Sequence, residues 1–168
     1  MKYIAAPWRA DYVKKVFEMK GCVFCRALKS EIDKDVHILY RGRYNFVMLN
    51  RYPYNPGHLM IAPFGHCDSI EKAEKDSSDE MMDLIKNSMS LLRDHYSPQG
   101  FNTGMNIGRS SGAGVESHYH FHIIPRWIGD SNFMPIIGQT KVVIEDLDTT
   151  YSDLKPLFDE MKGDGNTR

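Results

Sequence analysis

A chain of 168 residues, 42% hydrophobic and 26% charged, has the size and composition of one globular domain. Its 21 basic and 22 acidic residues give a net charge of -1, which gives no general reason to bind a nucleic-acid backbone, a task that usually requires a concentrated basic surface, but leaves room for a local anion pocket. The first residues, Met1 to Phe17, carry Lys2, Arg9, Asp11, Lys14 and Lys15, so they read as neither a signal peptide nor a membrane span.

The first motif along the chain is Cys22-Val23-Phe24-Cys25. With three cysteines and no secretory leader, a disulfide framework is not expected; reduced thiols in the cytoplasm are. A C-x-x-C pair suits two thiolates on one metal ion, and it also occurs in redox motifs, which place a strand directly before it. The segment before Cys22 is charged and irregular. A short helix is expected after Cys25. Strands are expected at Val36 to Tyr40, Phe46 to Asn50 and His58 to Ala62, parted by Arg41-Gly42-Arg43 and Asn55-Pro56-Gly57.

A short helix follows near Ser69 to Lys75. Ser78 to Tyr96 reads as a long helix, with Met81, Ile85, Met89, Leu92 and Tyr96 on one stripe. Ser77 and Glu80 match a capping box, and Pro98 with Gly100 ends it. Two more strands, Asn102 to Ile107 and His118 to Ile124, flank the Gly/Ser-rich stretch Gly108 to Gly114. A last helix is expected at Thr150 to Met161, kinked or weakened by Pro156, before a frayed end from Gly163 to Arg168. Together these elements predict an α+β domain built on a mainly antiparallel sheet.

The informative stretch is His118-Tyr119-His120-Phe121-His122-Ile123-Ile124. On a strand, His118, His120 and His122 share one face at spacings of ~6–7 Å, while Tyr119, Phe121 and Ile123 share the packed face. Three imidazoles can bind zinc, yet alternate residues on one flat strand diverge and wrap poorly around a tetrahedral ion. The preceding Asn106 to Gly114 stretch offers hydroxyls and backbone amides for an anion.

This stretch resembles the histidine triad (HIT) signature, H-φ-H-φ-H-φ-φ with φ apolar, and Asn50 through Pro56-Gly57-His58 resembles a second family segment. The resemblance implies a HIT-like fold with a five-stranded sheet, paired into a ten-stranded sheet in a homodimer. It implies that His120 is the nucleophile, that His122 contacts the same phosphate, and that His58 supports the triad from beneath. Asn50, Asn106, Gly112, Gly114, Ser117, His122 and Trp127 are the substrate-binding residues it implies. Cys22, Cys25, His66 and His118 are the ligands it implies for one structural Zn²⁺. Cys67, next to His66, is the alternative ligand, disfavoured because neighbours on an extended chain point apart.

Ala6-Pro7-Trp8-Arg9 and the run from Pro125-Arg126-Trp127 to Asn132-Phe133-Met134-Pro135 are similar to a bacterial and archaeal branch that includes diadenosine tetraphosphate phosphorylases. The branch implies one domain over residues 1–162, with the chain from about 128 packing on it. It implies cleavage of a purine dinucleoside polyphosphate through a nucleotidyl-histidine, with phosphate or water as the acceptor. A nucleoside phosphoramidase of the same family and a non-catalytic zinc-stabilised nucleotide-binding protein are the alternatives. Gly114 and Val115 stand where several eukaryotic members carry Gln or Ser, which favours the phosphorylase-like branch.

Overall fold

The computed structural model describes residues 21–130 and 145–164. Ala6 to Arg9 and Asn132 to Pro135 lie outside them. In chain order the helices are α1 (Val23–Ala27), α2 (Asp33–Val36), α3 (Lys75–Tyr96) and α4 (Leu147–Asp164). The strands are β1 (Ile38–Arg41), β2 (Asn45–Leu49), β3 (Leu59–Pro63), β4 (Gly100–Met105) and β5 (Phe121–Arg126). They form a five-stranded sheet in the order β1-β2-β3-β5-β4, and every neighbouring pair is antiparallel. No helix among the described residues is long and apolar enough to cross a membrane.

Alternation along β2 and β3 sorts the core into two layers. Val47, Leu49, Leu59 and Ile61 join Ile123 against Met81, Ile85 and Leu92 of α3 and Leu154 and Phe158 of α4. Phe46, Met48, Met60 and Ala62 turn to the opposite face and meet Phe24 and Ala27 of α1. All ten positions of β2 and β3 are therefore buried. α1 is short and covers only part of its face. The remainder forms the wall of a cleft.

The expected strands occur within a few residues of their expected bounds, and the helices differ more. α1 starts at Val23, inside the C-x-x-C motif. Val36 closes α2 instead of opening β1, and the expected helix at Ser69 to Lys75 is one 3-10 turn, Ile70–Lys72. α3 begins at Lys75, and the capping box does not form, because its two side chains bind elsewhere. Glu80 accepts the backbone amides of Arg43, Tyr44 and Asn45 and the Asn45 side chain, at 2.6–2.8 Å. Ser77 is buried against Asn45. α4 begins at Leu147, where Asp146 accepts the amides of Asp148 and Thr149. It runs through Pro156 to Asp164, so helix persists past Gly163.

Candidate active site and metal centre

The strand carrying the triad is shorter than expected, since β5 begins at Phe121. Pairing with β3 ends at Ile61↔Phe121, and upstream of it the Tyr119 amide donates to Cys67 O at 2.7 Å. His118 and His120 therefore lie just before the ladder, and only His122 is within it. The backbone still delivers the alternation: Tyr119 and Ile123 enter the α3 layer, while His120 and His122 face the cleft.

Two backbone groups fix the protons on these rings. His120 Nδ1 lies 3.0 Å from His118 O, a pure acceptor, so Nδ1–H donates and Nε2 keeps its lone pair. Burial lowers the His120 pKa, more than the His118 carbonyl raises it, so the ring is neutral near pH 7. The Tyr54 amide, a pure donor, points at His58 Nδ1 at 3.1 Å. The His58 proton therefore sits on Nε2, which donates to His122 Nδ1 at 3.0 Å. Having accepted there, neutral His122 carries its own proton on Nε2. Two rings with centroids 4.7 Å apart thus differ in kind, one with a bare Nε2 and one with an Nε2–H.

The cleft has a volume of about 990 Å³. Met48 and Met60 line its apolar part, and Tyr52 and Tyr54 stand at its rim. Opposite them runs the loop between β4 and β5, which brings Asn106, Gly112, Gly114 and Ser117 to the same space. Gly108 and Gly112 adopt φ of +76° and +80°, a conformation that bulkier residues rarely take. Asn50 also lines the cleft, and its Oδ1 accepts the Tyr52 amide at 2.9 Å.

Beside the cleft, four side chains from three distant segments converge. Cys22 Sγ lies 3.3 Å from His118 Nδ1, and Cys25 Sγ lies 3.2 Å from His66 Nδ1 and 3.7 Å from His118 Nδ1. All four ligand atoms fall within 4.8 Å of one another. A tetrahedral ion with bonds of ~2.3 Å to sulfur and ~2.0 Å to nitrogen separates its ligands by roughly 3.3–3.8 Å. The donor set fits such an ion. His118 Nε2 donates to Pro63 O at 2.9 Å, which leaves Nδ1 deprotonated as a ligand must be. Desolvation raises the Cys22 thiol, a cost that a bound cation offsets by holding the thiolate. Cys67 stands apart, with its thiol on Ser69 O.

The HIT domain model matches residues 29–127, well over half of the chain. The chain belongs to the HIT domain family. A protein named AP-4-A phosphorylase from Mycobacterium tuberculosis is 39% identical over 111 residues, covering 66% of this chain and 57% of that protein. The chain thus aligns with little more than half the length of that relative. A hypothetical histidine triad nucleotide-binding protein from Sulfolobus tokodaii shares the fold with a TM-score of 0.68 and 25% identity, over 88% of this chain and 99% of that one. A Zn-bound histidine triad family protein from Mycobacterium smegmatis superposes with a TM-score of 0.61 at 15% identity, over 92% and 96% of the two chains.

Measured against the expectations, this HIT domain gathers His120, His122, Asn50, Asn106, Gly112, Gly114 and Ser117 around one cleft. His58 lies beneath, only 1% exposed, with Tyr54 stacked on it at 5.3 Å. Trp127 does not line the cleft; its ring packs edge-on to Tyr96, 6.4 Å away, at the far end of β5. The four expected metal ligands stand together, without His120 or His122. Sequence reasoning missed Phe24, whose ring touches both His118 and His120 at 5.1 and 4.8 Å. Its position between the two cysteines was the available signal.

Proposed function

We propose that this HIT domain is a nucleotidyl-transfer enzyme that cleaves dinucleoside polyphosphates at the α-phosphorus. The observation that carries the reading is the hydrogen-bond geometry of two neighbouring rings, His120 Nδ1 on His118 O and His122 Nδ1 on His58 Nε2, which turns a lone pair of buried His120 and an N–H of His122 toward the cleft. The His120 lone pair attacks phosphorus, a P–N bond forms, and the bridging P–O bond breaks with the remaining polyphosphate as leaving group. His122 Nε2–H donates to the phosphate oxygens as their charge grows. Phosphate or water then attacks the same phosphorus, the P–N bond breaks, and His120 regains its lone pair. Asn50 and the apolar wall of Met48 and Met60 hold the nucleoside, and the Asn106–Ser117 loop holds the phosphates.

Cys22, Cys25, His66 and His118 hold a structural Zn²⁺ in this reading. Four protein ligands leave the ion no open position, so its contribution is to fasten His118, two residues from the nucleophile. The likeness to a relative named AP-4-A phosphorylase supports diadenosine tetraphosphate as the substrate to test.

The test is to trap the intermediate. Brief incubation with diadenosine tetraphosphate followed by mass spectrometry is expected to find AMP on His120. ADP formed only when phosphate is present identifies a phosphorylase, and AMP with ATP identifies a hydrolase. Turnover without any adduct, or with the adduct on another residue, overturns the proposal.

A further inference from the structure

A largely buried carboxylate lies outside the cleft, beyond the end of β5. Asp130 follows β5, and its side chain is only 14% exposed. A single oxygen, Oδ2, accepts three bonds: Arg126 Nε at 2.6 Å, Asn55 Nδ2 at 2.7 Å and the Trp127 amide at 3.1 Å. Asn55 Nδ2 also reaches Pro125 O at 2.8 Å. Asn55 belongs to the connection between β2 and β3, so these bonds fasten that connection to the end of β5.

What the fastened loop does is set by its neighbours. Tyr54, one residue before Asn55, supplies the amide that keeps the His58 proton on Nε2. Asn55 O accepts the His58 amide at 3.2 Å, and His58 O accepts the Asn50 amide at 2.9 Å. The ring of His58 is thus held by the Tyr54 amide beside the fastening point and by Asn50 Nδ2 at the start of the same connection. If the loop drifts, Nδ1 loses the shorter of its two donors, the other being Asn50 Nδ2 at 3.4 Å, and the proton can move onto Nδ1. A bare His58 Nε2 then faces a bare His122 Nδ1 at 3.0 Å, which repels until His122 moves its proton to Nδ1. That shift removes the N–H that His122 offers to phosphate.

We propose that Asp130 and Asn55 are positioning residues that fix the tautomer of His58, and through it that of His122, by anchoring the loop that carries the Tyr54 amide. The inference rests on the nucleotidyl-transfer reading for its effect on rate, but the tautomer itself can be observed without turnover.

The experiment compares the full chain with Asn55→Ala and Asp130→Asn. It uses imidazole nitrogen NMR on histidine-labelled protein, steady-state kinetics with diadenosine tetraphosphate, and thermal melts. In the wild type His58 is expected to show a protonated Nε2 and a bare Nδ1. In both variants a second tautomer is expected, with kcat down about 10- to 100-fold and KM within about 2-fold. A purely structural role gives a lower Tm with an unchanged His58 tautomer and unchanged kcat, and that result overturns the proposal. Should Asp130→Asn fail to fold, Asn55→Ala decides, because it leaves the Asp130–Arg126 ion pair in place. A wild type without turnover sinks the nucleotidyl-transfer reading, and the spectra still decide the positioning role.

Discussion

His120 combines two properties that rarely coexist. It is 4% exposed, yet it borders a cleft wide enough for a nucleotide. Burial withdraws the ring from water and keeps it neutral, and the donated Nδ1–H aims the opposite nitrogen. In the proposed route, removing the ring removes the attacking atom and little of the cleft wall. His120→Ala is therefore expected to lower turnover by at least about 10³-fold while nucleotide affinity, measured by titration calorimetry, changes by less than about 5-fold. Retained turnover would exclude the covalent route. Loss of binding in a folded variant would place His120 in recognition instead of chemistry.

Among the elements, the β1–β2 hairpin is held to α3 by one side chain. Glu80 receives three consecutive backbone amides and the Asn45 side chain, and a charged acceptor makes each bond stronger than a neutral one. Glu80→Ala leaves these donors unpaired in a hairpin whose Asn45 is fully buried, at an expected loss of about 2–4 kcal/mol in urea unfolding. A loss below about 0.5 kcal/mol would show that water replaces the carboxylate. Sequence pattern alone assigned Glu80 to a capping box, since the motif is local and the true partner lies 35 residues away. The strands were legible for the converse reason: a short apolar run bounded by turn-forming residues is a local signal, and burial of both faces of β2 and β3 accounts for their apolar runs. The start of β5 was not, because the Tyr119 amide binds Cys67 O, a contact that spacing does not encode. Trp127 and Asp130 show the same limit, their partners Tyr96 and Asn55 being brought close only by the folded sheet.

For the molecule as a whole, the metal ligands close long loops. Cys22 and His118 are 96 residues apart, and Cys25 and His66 are 41 apart. An ion held by all four would therefore join α1, the segment after β3 and the approach to β5, and α1 carries the Phe24 ring that packs on His120. Such a clamp stabilises the folded chain by the free energy of binding, because the unfolded chain cannot present the four ligands together. Protein purified without chelator is expected to contain about one zinc per chain by elemental analysis. Stripping it is expected to lower Tm by on the order of 10 °C, reversibly on adding zinc. Cys25→Ser is expected to lower metal content and Tm together, whereas Cys67→Ser changes neither, since that thiol bonds to Ser69 O outside the cluster. A chain that melts at one temperature with and without the metal would leave the cysteines without a structural purpose, and the placement of His120 would then depend on Phe24 and the sheet alone.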